Sequence, residues 1–368
     1  MKVLFPYTGD TIGGSHWSSL GLIKGLKEKG VDVSVIMHQE NKKLESMILT
    51  STGEKPVIFP LNNILKINHK KNLFFFMIFE MPRLIKYVKS SQVCIIHSND
   101  NRIHIGWTLV AKISKVRHVF HLRNSRLPFF GYLSFLKKFP SAYVYLSEFN
   151  GKPLENFKNI KIKIPNPIVV SEHTNRKKLT EIINLGFIGN LEKRKRFDLF
   201  LEICDILNKN DRYKFKFNVF GNTLDFPINS ILKKFPNLNF FGFVPDVDLV
   251  YSQIDILICP SDNEPLGRTI LEAMSKKIPV IASTSGGNME LLSEGKGFLV
   301  AHQDPKDYVL KIEMLLNNWE FVEKELNKAF DFVQKNYSLE ESSSKIISLY
   351  NQLLVNNINS KQNGFKIF

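Results

Sequence analysis

Residues 263–274 read NEPLGRTILEAM and set two carboxylates, Glu264 and Glu272, seven residues apart with Gly267 between them. Glu264 precedes a proline, which biases its backbone towards extended geometry and away from helix. Gly267 lets the chain turn closely. A helix from about Arg268 would carry Ile270, Leu271 and Met274 inward. Glu264 is then a loop residue, and Glu272 lies just over a turn into the helix. Both can face one pocket at the helix N-terminus. That end carries partial positive charge and the N–H groups of Leu266, Gly267 and Arg268. A ligand with both phosphate and hydroxyl groups would suit it: the amides hold an anion, and the carboxylates accept hydrogen bonds from hydroxyls. On spacing alone, two glutamates at a helix start could equally do no more than complement the helix dipole.

Further chemistry sits at the ends of other apolar runs. INLGFIGN (183–190) leads into the basic loop EKRKR, whose strand-end position favours at least one phosphate contact. His97 in IIHSND and His121 in VFHLRN both close strands; a lone histidine is more often structural. DVD at 246–248 lies in a loop leading to a helix and makes no convincing metal motif. Cys/His spacing for zinc is absent.

The elements that position these residues alternate. KVLFPYT, DVSVIMH, VCIIHS, HVFHL and AYVYLS read as strands of a first half. GDTIGGSHWSSLGLIKGLKEKG, a glycine turn followed by an amphipathic helix, and the helical GWTLVAKISK lie among them. The scheme restarts at INLGFIGN, followed by the helix RFDLFLEICDILNK and the strands KFNVFG, LNFFGF, DILICP and PVIAS. Strands separated by helices imply parallel sheets. Two doubly wound halves imply a cleft, with ligands beyond the carboxyl ends of the strands. The boundary is expected near IPNPIVVSEHTNRKKL (164–179). GDTIGGS is not the G-x-G-x-x-G fingerprint, which argues against a nicotinamide dehydrogenase. A helix is expected over 338–358, which could pack back on the first half, with a frayed tail after it.

The chain's 368 residues suggest two domains. Its net charge of +15 is uneven: residues 1–170 hold 25 Lys+Arg against 10 Asp+Glu, and residues 171–368 hold 25 of each. An anionic partner for the first half follows, since a general lysine bias would reach both halves. Three distant cysteines read as reduced thiols in a reducing compartment. MKVLFPY passes quickly into glycines and polar residues, so no secretory signal is expected. The most apolar run, NLFFFMIFEMPRLI, is interrupted by charges and is too short to span a bilayer.

The 264–272 segment resembles the E-x7-E motif of the retaining glycosyltransferases of family 4, which adopt the GT-B architecture. The likeness extends through FFGFVPD (240–246), 251–292 and GKGFLV (295–300). GFIGNLEKRKRFDLFLE resembles that family's strand, glycine and basic loop, IPNP the entry to its second domain, and GGSHWSS its first glycine loop. It is strong over 183–300 and weak over 40–90. The resemblance implies two Rossmann-like domains facing a central cleft: residues 1–170 for the acceptor and residues 171–337 for a nucleotide sugar, UDP- or GDP-linked. It implies that Glu272 binds ribose hydroxyls, that Glu264 contacts or assists the transferred sugar, and that the amides after Pro265 (Leu266, Gly267, Arg268) hold sugar or phosphate. Lys195 matches the lysine that neutralises the diphosphate. Where the family usually has an arginine after the loop glycine, this chain has Asn190, so Arg194 or Arg196 would supply that charge. His121 would touch the transferring sugar, and Gly13 and Gly14 would approach the sugar or phosphate from the first domain.

These expectations add up to a cytoplasmic, metal-independent glycosyltransferase with no cofactor, acting on a glycan or lipid-linked glycan. The basic half points to peripheral attachment at the anionic inner face of the cell membrane, with Lys66, Lys70 and Lys71 beside NLFFFMIF as the contact. Phe74, Phe75 and Phe76 could instead be core residues. The rivals are a silent sugar-nucleotide-binding or scaffold subunit and a sugar-nucleotide epimerase. No RNA- or DNA-binding motif supports a nucleic-acid partner.

Overall fold

The computed structural model describes residues 1–10, 12–67, 69–124, 126–129, 131–170, 180–301 and 303–363; part of the expected boundary (171–179) and the tail from 364 lie outside them. The chain divides into two units, one built from Met1–Pro167 with the segment from Leu339 onward, the other from Ile168–Ser338. The division falls at Pro167 rather than residue 170 because Ile168 donates its N–H to Tyr337 O and bridges to Ser338.

The first unit holds seven strands: β1 (Lys2–Tyr7), β2 (Asp32–Met37), β3 (Val57–Ile58), β4 (Ile95–Ser98), β5 (Arg117–Leu122), β6 (Ala142–Tyr145) and β7 (Ile160–Lys163). They form one sheet in the order β3-β2-β1-β4-β5-β6-β7, parallel throughout. The central strands are continuous apolar runs because helices cover both faces of such a sheet. Pro6 sits inside β1, yet the pairing of β1 with β4 spans only Val3 and Leu4, so the residue without an N–H lies beyond that ladder. Helix α1 (Gly14–Glu28) follows β1 directly.

The second unit repeats the plan with β8 (Ile182–Ile188), β9 (Lys214–Phe220), β10 (Leu238–Gly242), β11 (Ile256–Cys259), β12 (Val280–Ser283) and β13 (Phe298–Val300). Their order, β10-β9-β8-β11-β12-β13, is again parallel. Helix α2 (Phe197–Leu207) follows β8, and α3 (Arg268–Ser275) follows β11. Phe187, Phe197, Phe200 and Phe217 fill the core between β8, β9 and α2.

In each unit the chain winds outward in both directions from two adjacent strands, β1/β4 and β8/β11. Ligands of such sheets bind beyond the carboxyl ends at that switch point. The last helix, α4 (Leu339–Asn363), belongs to the first unit and runs past the expected residue 358. It lies against α1 at Gly25, where a Cβ would come within 2.8 Å of Leu339 Cδ1. Ile346, Leu349 and Tyr350 join the core of that unit.

Candidate active site

The carboxyl ends of β8 and β11 bring together three of the charged residues singled out by sequence. After β8 the chain turns at Gly189 and Asn190 and makes a short 3₁₀ turn, Lys193–Lys195. The Lys195 stem lies over Gly189, where a Cβ would be 3.5 Å from Lys195 Cδ. Its ammonium reaches Glu264 Oε2 at 2.7 Å, and Arg194 NH1 reaches the same oxygen at 3.0 Å. The Glu264 side chain is 12% exposed and that of Lys195 15%. Burial pushes the Glu264 carboxyl up, but the charges of Lys195 and Arg194 outweigh it and hold its pKa below the ordinary value. Glu264 therefore stays ionised at neutral pH.

Arg194 takes the place beside Glu264, while Arg196 turns away. Arg196 has left-handed backbone (φ 54°), and its Nε donates to Asp198 at 3.1 Å; Asp262 lies 3.8 Å from its NH1. Asn190 stands outside this ion cluster: its Oδ1 accepts a long bond from Asn222 Nδ2 at 3.4 Å.

Glu272 lies on α3 and has a different set of partners. Its Oε1 accepts from Arg268 Nε at 2.7 Å and its Oε2 from the Tyr251 hydroxyl at 3.1 Å. Tyr251 also donates to Thr269 O. Burial, then the Glu272 charge, raises the Tyr251 pKa far above normal, so it remains a donor. A carboxylate offers about four lone-pair sites, so Glu272 keeps acceptor capacity for ligand hydroxyls.

The backbone between the glutamates is clasped by the loop after β12. Asn263 N donates to Ser285 Oγ at 2.7 Å and Gly287 N to Glu264 O at 2.7 Å. Gly286 has φ +67°, and a Cβ there would sit 2.4 Å from Glu264 O, so the clasp requires glycine. Gly267 caps α3 with φ +85°, and its Cβ would meet Ile270 and the Asn288 side chain at 3.1 and 3.2 Å. Leu266 is buried, Arg268 half-buried on Glu272. Asn288 is fully buried; its Nδ2 reaches Ser283 at 3.3 Å, and its Oδ1 has no partner among the described residues. The DVD segment has capping and pairing work: Asp246 accepts from Leu249 N at 3.0 Å, and Asp248 pairs with Lys276.

In the first unit, Gly13 and Gly14 open α1, and a Cβ at either would meet nothing within 4 Å. Gly13 N donates to His16 Nδ1 at 3.2 Å. His121 is 1% exposed inside β5, not an open strand-end residue. Its Nδ1 lies 3.0 Å from His97 Nε2, and His97 in turn bonds to the Tyr350 hydroxyl. The His121 Nε2 is buried with no partner among the described residues. Burial, then the Arg123 charge, depresses its pKa well below the histidine norm, so the ring is neutral.

Sequence reasoning missed Tyr251, Asn288 and a network at the β1/β4 ends. There Arg102 spans Asp10 and Asp100 and donates to Thr8 Oγ1 at 3.0 Å. SGGN and YSQID lie inside the stretch 251–292 that carries the resemblance, but nothing local tells which of their residues touch the glutamates.

Comparison with known proteins agrees with this layout. The family model described as glycosyl transferases group 1 matches residues 172–331, all of them within the second unit. Curated relatives include the lipopolysaccharide core biosynthesis mannosyltransferase LpcC of Rhizobium leguminosarum bv. viciae, 34% identical over 32% of this chain and 34% of that protein. Spore coat protein SA of Bacillus subtilis is 29% identical over 45% of this chain and 47% of that one. The capsular polysaccharide biosynthesis glycosyltransferase CapM of Staphylococcus aureus is 25% identical over half of each chain. These matches thus span about a third to a half of the relatives' lengths. Among solved structures, Anabaena HepE in complex with UDP-glucose superposes with a TM-score of 0.76 over 96% of this chain and all of that one, at 15% identity. An S. aureus TarM mutant in complex with fondaparinux, α-GlcNAc-glycerol and UDP gives 0.74 at 13% identity, over 95% and 99%. At such identities the likeness establishes the fold, which is GT-B-like with two Rossmann-like units.

Proposed function

We propose that the chain is a retaining glycosyltransferase of family 4 that moves a sugar from a UDP- or GDP-sugar to a glycan or lipid-linked glycan. In this reading it needs no metal and works as a peripheral protein on the inner face of the cell membrane. The observation that carries the reading is the Lys195–Glu264–Arg194 cluster beside the N-terminus of α3. Transfer breaks the bond between the anomeric carbon and the diphosphate. Negative charge then grows on the diphosphate, and positive charge grows on the sugar ring. Lys195, Arg194 and the α3 amides are placed to take up the first. Glu264, kept ionised by the same cations, answers the second or holds a sugar hydroxyl. Glu272 accepts from the ribose. The first unit takes the acceptor; from it Gly13 and Gly14 approach the sugar or phosphate, and His121 offers its buried Nε2 to the transferring sugar. Support comes from the group 1 match and from the UDP-glucose of HepE and the UDP and glycan ligands of TarM.

The test is a panel of UDP- and GDP-sugars scored by thermal stabilisation, since a ligand of the folded state alone raises its midpoint. The sugar that stabilises is then followed by mass spectrometry with glycan acceptors, with and without EDTA. Transfer that persists in EDTA is expected. Activity lost in EDTA and restored by magnesium would overturn the metal-free mechanism. Binding with neither transfer nor slow donor hydrolysis would leave a silent binding subunit, and an inverted sugar centre would indicate an epimerase.

A further inference from the structure

The first unit has an apolar face that its own core leaves uncovered. Between Lys55 and Ser147 the chain holds fifteen Lys and Arg but two acids, Glu80 and Asp100. Asp100 is tied to Arg102. Glu80 is buried, with Oε1 accepting from the amides of Asn62 and Asn63 at 3.1 and 2.9 Å and Oε2 from Ile64 N at 3.0 Å.

Those bonds fix the helical run that contains Glu80: Lys70–Phe75, a π-helical turn Phe76–Glu80, and Met81–Ser90. Its inner stripe of Phe76, Glu80, Leu84 and Val88 is buried. The outer face of a surface helix is ordinarily polar. Here, for two turns, it is Phe74, Met77, Ile78 and Phe79, exposed by 40–60%. It then becomes basic at Arg83, Lys86 and Lys89, all exposed. The short helix Gly131–Lys138 adds Tyr132 and Phe135, also exposed, while its Leu133 and Leu136 enter the same core as Phe76. The Lys70 ammonium stands 5.7 Å from the Tyr132 ring centre, which sets the two elements side by side. The sequence expectation for the phenylalanine run thus divides: Phe74 is exposed, Phe75 half-buried and Phe76 core.

Exposed apolar patches of this kind are interaction sites. We propose that this face docks the protein on an anionic lipid surface, with the six apolar side chains entering the headgroup–acyl boundary and Lys66, Lys70, Lys71, Lys137 and Lys138 lying against lipid phosphates. The charge selects the occupant. A second copy on the same face would set like charges together, and a nucleic acid would leave the apolar side chains in water. The whole unit carries 28 Lys+Arg against 12 Asp+Glu, while the second holds 22 against 23. The inference rests on the peripheral location proposed above but not on the transfer chemistry.

Flotation with vesicles of phosphatidylethanolamine and phosphatidylglycerol tests it, with phosphatidylcholine vesicles as control. Wild-type protein should float with the anionic vesicles, be released by salt, and remain behind with phosphatidylcholine. Each cation at such a surface contributes about fivefold in partitioning. Lys70→Glu/Lys71→Glu/Lys137→Glu should therefore lower binding at least ~100-fold. Phe74→Ser/Ile78→Ser/Phe79→Ser should abolish it with the cations intact. If that variant fails to fold, Phe79→Ser alone decides, by a several-fold loss. Equal flotation with both vesicle types, or none with either, overturns the proposal. A dimer in light scattering that the Phe variants dissociate overturns it too, assigning the face to a second copy. Thermal stabilisation by sugar nucleotides should survive in every variant, so a failure here leaves the transferase reading standing.

Discussion

Lys195 Nζ and Glu264 Oε2 are 2.7 Å apart, so without donor the proposed diphosphate cation is already neutralised by the proposed sugar-side carboxylate. Arg194 is engaged by the same oxygen. A bound diphosphate must therefore share or displace Glu264, which gives the two groups opposite mutational signatures. Glu264→Gln removes the competing charge and should tighten UDP or GDP binding by about 10-fold, the lower end of the roughly 1.5–3 kcal/mol that hydrogen bonds to charged groups contribute. Turnover should nevertheless fall by at least ~100-fold. Lys195→Ala should weaken both. Calorimetry with the nucleotide alone separates them: if Glu264→Gln binds more weakly than wild type, the two do not compete.

Glu272 should act through the ribose rather than the phosphate. Glu272→Gln should weaken sugar-nucleotide binding at least ~10-fold and leave affinity for inorganic diphosphate unchanged. Tyr251→Phe removes only the hydroxyl that holds Glu272 Oε2 and the Thr269 carbonyl. A loss of a few-fold is expected, the scale of one hydrogen bond of about 1 kcal/mol. A Glu272→Gln protein that binds UDP-sugars like wild type would remove the residue from the site.

What was legible in the sequence was local. The central strands of both sheets are dense apolar runs, and their reading stands to within a residue or two. The missing strands β3, β7 and β13 are short and lie at or near sheet edges. IKIK in β7 alternates half-buried and exposed positions, and such a segment becomes a strand only through its neighbour. Glu264, Gly267 and Glu272 were legible because they share one loop and helix. Their partners were not, because Tyr251 and Asn288 come from other elements. Only backbone geometry decides between Arg194 and Arg196: the left-handed turn at Arg196 swings that side chain to Asp198. The burial of the histidines was hidden for a similar reason. Strand ends looked open in sequence, whereas the C-terminal helix lays Tyr350 over His97.

Those histidines make the first unit acid-sensitive. His38 has its pKa pushed down to about 4 and His118 to about 3, burial being the main cause. His97, His104 and His121 are also held well below the ordinary value, again by burial first. Their contacts suit neutral rings: Trp107 Nε1 donates to His38 Nε2 at 3.1 Å, and Ser98 Oγ bridges His104 and His118 at 2.6 and 2.7 Å. The unfolded chain protonates these rings near pH 6.5, whereas the folded one does not. The stability they contribute is therefore complete above about pH 6.5 and is lost as pH falls towards the folded values. Each ring loses about 1.4 kcal/mol per pH unit. If even three of the five titrate this way, one unit below 6.5 costs about 4 kcal/mol, a large share of a domain's usual 5–15 kcal/mol. Paired carboxylates such as Glu264 weaken the protein only below about pH 4.5, so the window between pH 6.5 and 5 isolates the histidines. Thermal melts across that window should show the midpoint of the first unit dropping steeply. A midpoint constant from pH 7.5 to 5.5 would mean that the rings are already protonated in the fold or reach water freely.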